Sequence, residues 1–191
     1  MYAIDQVWTG QLLDGTPGTN QTLDWMAGMV RRDAGNLSLR SHALSLVAGC
    51  EGHNFLCEIQ ALYRYIRDGI TYRRDPIGVE WVQDATRTLF VFGSGDCDDK
   101  VVALATLLAT LGHRSRFVVL GKTKEKYTHV YLETFIQGRW IPLDPTPEKA
   151  HAGWEAQGAI RSTYEIFGGG EKKTSLPFIL IAGLLAWWLL K

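Results

Sequence analysis

The chain has 191 residues, a formal net charge of zero, 46% apolar residues and 21% charged residues, enough for one globular domain with an appendage. Without a basic excess there is no electrostatic footprint for nucleic acid, so no nucleic-acid partner is expected. Three cysteines are too few for a disulfide scaffold and point to a reducing compartment, and the N-terminus lacks the basic and apolar stretches of a secretory signal.

Residues 1–20, with the turn formers "DGTPGTN", are expected as a loosely packed arm. "TLDWMAGMVRR" (22–32), "NLSLRSHALSLVAG" (36–49) and "FLCEIQALYRYIRDG" (55–69) carry apolar residues at helical spacing. In the last, Ile59, Leu62, Tyr63 and Ile66 form one face and Gly69 closes it. Residues 1–54 are expected as an arm and helical cap, and 70–96 as an extended, mostly irregular connection. Cys50, His53 and Cys57 ("CEGHNFLC") have a spacing that zinc could use, but no fourth ligand of paired spacing accompanies them. Helix packing accounts for both cysteines, and no metal or cofactor is expected.

The segment "FVFGSGDCDDKVVALATLLATLGHRSRF" (90–117) joins a glycine-rich knot to an apolar helix over about 97–111, which Gly112 ends. Asp96 and Asp99 stand three apart, as in a capping box. Cys97 then lies in the first turn, where free N–H groups and the helix dipole favour a thiolate and can receive an oxyanion. The neighbouring carboxylates oppose thiolate formation. Asp98 and Asp99 are assigned to the helix start rather than to a metal pair.

After Gly112 the period changes. "RSRFVVLGK", "YTHVYLETFI" and "RWIPLDP" read as three antiparallel strands, so helices followed by a meander make an α+β fold. Pairing across "QGR" with residue numbers summing to about 273 sets His129 opposite a position near Asp144. A thiol, an imidazole and a carboxylate are the parts of a nucleophilic triad. Residues 151–174 are expected as a linker hinged at Gly168–Gly170. Residues 175–191 are expected as an apolar helix, because Leu176 to Leu190 contains no charge and Trp187, Trp188 and Lys191 lie at its end. Its fifteen apolar residues fall short of the ~20 that span a bilayer.

"GDCDD…VALATLLATLGHRSRFVVLG…THVYLE…RWIPLDPT" resembles the transglutaminase-like superfamily of papain-like cysteine enzymes, over about residues 64–147. The resemblance implies a core at 55–150 with Cys97 as nucleophile, His129 as general base and acid, Asp144 as its orienter and Arg116 in a structural role. A glutamine or aromatic side chain upstream helps form the oxyanion hole in such enzymes. Gln83 and Trp81 are available, and Gln83 is preferred as an amide donor. Nothing resembles the large calcium-dependent transglutaminases, so neither calcium nor crosslinking is inferred. The expected activity is cleavage of a peptide or amide bond in a peptide or protein substrate through a thioester, with acyl transfer to an amine as the other outcome. The tail at 175–190 is expected to meet membrane lipid or partner helices, leaving the catalytic domain cytoplasmic. The alternative is a non-catalytic component of a phage, virion or membrane assembly.

Overall fold

The computed structural model describes residues 15–76, 80–123 and 126–168. Helix α1 spans Gly15–Asp33, so it starts earlier than the sequence pattern indicates and takes in part of the expected arm. Pro17 sits in its first turn, where backbone N–H groups have no intrahelical acceptor and proline costs nothing. Leu23, Met26, Ala27 and Val30 make its buried face. Helix α2 (Leu37–Leu46) is capped by Asn36, whose side chain accepts from the N–H groups of Ser38 and Leu39. Helix α3 (Phe55–Gly69) is capped by Asn54 and buries Ile59, Leu62, Tyr63 and Ile66, the face read from the sequence.

Two expectations fail between α2 and α3. Cys50 and Cys57 are joined in a disulfide with Cα atoms 5.8 Å apart. The thiols are thus unavailable to zinc, and three free cysteines become one, Cys97. An odd count conceals a local pair: the turn before Asn54 folds the first turn of α3 back against Cys50. The first helices are also no separate cap. Leu23, Met26, Val30, Leu39 and Ala43 belong to the same core cluster as Leu104 and Leu108 of the central helix and Phe117 and Leu132 of the sheet.

That central helix, α4 (Cys97–Thr110), is buried on nearly every side, as expected for a helix apolar all round. It ends as anticipated at Gly112, with positive φ and its N–H donating to the Ala109 carbonyl at 3.0 Å. The connection before it has more structure than expected. Strand β1 (Thr71–Tyr72) pairs in parallel with β2 (Ser94–Gly95), and a π-helical turn covers Arg87–Phe92. Bonds from Thr71 N–H to Gly93 O and from Arg73 N–H to Gly95 O pin the glycine knot beside the end of α3.

Strands β3 (Ser115–Thr123), β4 (Lys126–Ile136), β5 (Arg139–Leu143) and β6 (Ile160–Glu165) form one antiparallel sheet in the order β5-β4-β3-β6. The first three are the expected meander. The fourth is a correction, since β6 lies within the stretch read as linker and pairs with β3 from Arg116↔Glu165 to Gly121↔Ile160. Its "IRSTYE" is half polar because an edge strand has one solvated side, which hides it from a hydrophobicity scan. The β4–β5 register also differs. Ile136 pairs with Arg139 across a two-residue turn in which Gln137 and Gly138 both have positive φ, the tight hairpin geometry. Paired numbers therefore sum to 275, as in Leu132↔Leu143. Among the described residues no helix is long and apolar enough to cross a membrane; the expected apolar helix at 175–191 lies outside them.

Candidate active site

Each element delivers one group to the site. The capping box of α4 forms between Asp96 and Asp99, with Asp96 N–H donating to the Asp99 carboxylate at 3.2 Å. Cys97 is thereby the first helical residue. Gly95 is required here, because a Cβ at this position would stand 2.4 Å from the Cβ of Asp99. Lys100, one turn along, is 2% exposed. Its ammonium donates to the carbonyls of Arg67 (3.1 Å) and Ile70 (2.9 Å), at the C-terminal end of α3. A cation there complements the dipole of α3 and ties the nucleophile helix to it.

His129 and Asp144 meet as the sequence pattern indicates, although the ladder does not place them directly opposite. Asp144 follows β5, and its Oδ2 lies 2.7 Å from Nε2 of His129. The carboxylate is fully buried. Its second oxygen accepts the Thr146 N–H at 3.0 Å, and its backbone carbonyl accepts the Tyr63 hydroxyl at 2.9 Å. Two elements besides β5 thus hold this residue in place. A bulge interrupts the β3–β4 ladder between Leu120↔His129 and Gly121↔Tyr127, leaving Thr128 unpaired beside the histidine. Bulges at such positions re-aim side chains.

Cys97 and His129 line one cleft of about 560 Å³. One wall is a face of α1 carrying Gly15, Gly18, Thr19, Thr22, Leu23 and Met26; Tyr72, Arg74 and Glu80 also border the cleft. Asp144 stands behind the imidazole and does not border it.

The electrostatics of the thiol run against the expected thiolate. Burial, then Asp98 and Asp96, push Cys97 up to about 12, while backbone N–H groups of Val130 and Asp98 pull the other way. The helix N-terminus supplies donors, yet removal from water and two carboxylates outweigh them. The carboxylates are themselves perturbed. Burial raises Asp98 well above its ordinary value and brings Asp99 up to about 7, with donation from Gln83 opposing it. Asp96, Asp98 and Asp99 place ligand atoms within 4.8 Å of one another and are the described residues that could share a cation. Asp98 already accepts the Asp99 N–H at 2.9 Å.

Gln83 sits elsewhere than an oxyanion donor should. Its side-chain nitrogen donates to Asp99 Oδ2 at 2.6 Å and to the Ser94 carbonyl at 3.3 Å, and its backbone N–H donates to Asp99 Oδ1 at 2.6 Å. Both amide hydrogens are occupied, and Gln83 does not border the cleft. It braces the start of α4. Trp81 is half exposed, against Phe92. Sequence reasoning missed Lys100, Tyr63 and the α1 wall. Lys100 had a signal, as the single cation in an apolar helix three residues after the cysteine.

A thiol at a buried helix start, an imidazole on the facing strand and a carboxylate behind it define a papain-like cysteine-enzyme architecture. The profile of the transglutaminase-like superfamily matches residues 41–145, and the chain belongs to that superfamily. No curated protein matches it. Among solved structures it is similar to a candidate protease from Parabacteroides distasonis, at 14% identity and TM-score 0.52, over 66% of this chain and 26% of that one. It is also similar to a candidate cysteine protease from Cytophaga hutchinsonii (19% identity, TM-score 0.47, 67% of this chain and 46% of that one). A third is calcium-bound LapG of Legionella pneumophila (16% identity, TM-score 0.47, 79% and 93%). The chain thus spans less than half the length of the first two.

Proposed function

We propose that this protein is a cysteine hydrolase of peptide or amide bonds that works through Cys97, His129 and Asp144. The observation that carries this is the 2.7 Å contact between His129 and the buried Asp144, with His129 sharing a cleft with the free thiol. Because burial keeps the thiol protonated, its proton leaves as attack begins. His129 takes it while sulfur adds to the substrate carbonyl. Asp144 orients the ring and stabilises the imidazolium. His129 then gives that proton to the leaving amine as the C–N bond breaks, leaving a thioester. Water attacks the thioester, His129 accepts its proton, and the sulfur departs and is reprotonated. Backbone N–H groups at the start of α4 are the natural donors to the tetrahedral oxyanion, since the Gln83 amide is occupied.

The test is alkylation and turnover together. With Cys50 and Cys57 bonded to each other, iodoacetamide should add one label, at Cys97, at a rate that falls at least tenfold in His129→Ala. Cys97→Ala should fold and lose all hydrolysis. A non-catalytic assembly component would instead label slowly and equally in both backgrounds.

The apolar stretch 176–190 supports a membrane anchor. At ~1.5 Å per residue its fifteen residues cover ~22 Å, a shortfall that local thinning or helix association can absorb. The full chain should pellet with membranes and resist carbonate extraction, and residues 1–170 should remain in the supernatant. A full chain soluble without detergent would remove the anchor.

A further inference from the structure

The cleft has two unlike walls. Helix α1 contributes residues at steps of three, four and seven, from Gly15 to Met26, which is one helical face. Strand β4 contributes five consecutive residues, 126–130. A strand that presented a face would contribute alternate residues, so β4 meets the cleft along its edge. The ladder agrees. Strand β5 pairs with β4 only from Leu132 to Ile136, so among the described residues 126–131 have no strand partner on that side. The Val130 N–H is turned to the Cys97 sulfur, away from β3, and the bulge frees Thr128 from the β3 ladder. Opposite this edge, the outer part of the α1 face carries only Gly15, Gly18, Thr19 and Thr22, leaving width for a chain rather than for a bulky domain.

We infer that the substrate is an extended, unfolded polypeptide segment that adds as a strand to the free edge of β4 at residues 126–130, in the slot against α1, with its scissile carbonyl over Cys97. This deepens, and rests on, the hydrolase assignment above. Free backbone N–H and C=O groups along an edge pair with any sequence in strand conformation, so the edge recognises extended chain, and α1 sets which side chains fit. The α1 wall lies outside the residues that match the family profile, 41–145, so this part of the recognition belongs to this chain.

The full chain in detergent is incubated with a tryptic peptide library, and the cut sites are read by mass spectrometry. The best-cut peptide is then resynthesised with single N-methyl groups scanned along it. A strand edge uses every second amide. N-methylation should therefore lower kcat/KM by about tenfold at alternate positions and leave the intervening ones within about twofold. The same peptide held within a folded, disulfide-closed domain should resist cleavage. Thr128→Pro, which removes an edge N–H, should raise KM several-fold without changing the iodoacetamide rate at Cys97. An N-methyl scan with no alternation overturns strand addition. So does an uncut library when Cys97 alkylation still depends on His129, which leaves the nucleophile assignment intact. Alkylation that ignores His129 removes the hydrolase assignment itself, and with it this one.

Discussion

The two halves of the site are built on opposite principles. On the sheet, Asp144 is buried, and two hydrogen bonds besides its contact with His129 fix it. That half is set before substrate arrives. On the helix, Cys97 stands among carboxylates in a dry pocket that raises its proton affinity, and its neighbours Asp98 and Asp99 are raised as well. The base half is relaxed and the nucleophile half is under electrostatic load. A cysteine enzyme usually lowers its thiol pKa so that a thiolate waits. Here the thiol waits neutral, and the imidazole must supply the driving force for its ionisation.

Disabling the relaxed half should have the largest effect. Asp144→Asn keeps the size of the side chain and can still accept from Thr146 N–H, but it faces His129 with an amide. The imidazole loses its orienting anion and adopts the wrong tautomer, so kcat should fall on the order of 10³-fold or more, by the logic of other triads. Thermal unfolding should move far less than activity. A variant that retained a tenth of wild-type kcat would show that His129 is positioned by something other than Asp144.

A smaller and more diagnostic effect comes from the loaded half. Asp98 and Asp99 have folded pKa values above their ordinary value near 4. A raised carboxyl keeps its proton in the folded state after the unfolded chain has released it. Between about pH 4 and 7 the folded state therefore binds more protons, and this pair makes stability fall as pH rises. Below that window both states are protonated, and above it both are ionised. Asp98→Asn keeps an acceptor for the Asp99 N–H and removes one titration. The difference in unfolding free energy between variant and wild type should grow in the variant's favour from pH 4.5 to 7.5, at ~1.4 kcal/mol for each unit of pKa shift removed. Alkylation of Cys97 should also quicken several-fold above pH 8, since a repelling charge is gone. A flat difference across pH would mean that Asp98 ionises normally.

The same contrast explains what the sequence made legible. Cys97, His129 and Asp144 sit at positions that local rules define: a helix start, a strand interior and the residue before a proline. A capping box and a hairpin turn suffice to bring them near one another, even with the ladder two residues out of the expected register. The partners that load or brace them come from distant chain segments. Gln83 reads as an oxyanion donor until its amide is found on Asp99 and Ser94. Tyr63 reads only as core, yet its hydroxyl reaches Asp144 from 81 residues away. Helix α1 reads as an arm because its first turn consists of turn formers, and only packing against β4 and α4 makes it a wall. Strand β6 reads as linker because an edge strand needs little hydrophobicity.

The smallest effect on catalysis is expected far from both halves. The Cys50–Cys57 bridge closes a loop with a sequence separation of 7, and neither residue borders the cleft. Replacing both by serine should leave kcat and KM unchanged. Its effect should appear in stability, because an open loop returns conformational freedom to the unfolded chain; for a loop this short the loss is ~2–3 kcal/mol. The bridge also bears on where the domain works, since disulfides persist in oxidising compartments and are reduced in most cytosols. Chains from the native host, trapped with alkylating agent before lysis, should carry the label on Cys97 alone if the domain faces an oxidising space. Label on all three cysteines would place it on the reducing side, in line with a tail anchor that leaves the domain where it was synthesised. The fold would then have to tolerate the open loop in service, and wild type and the double serine variant should melt together under reducing conditions.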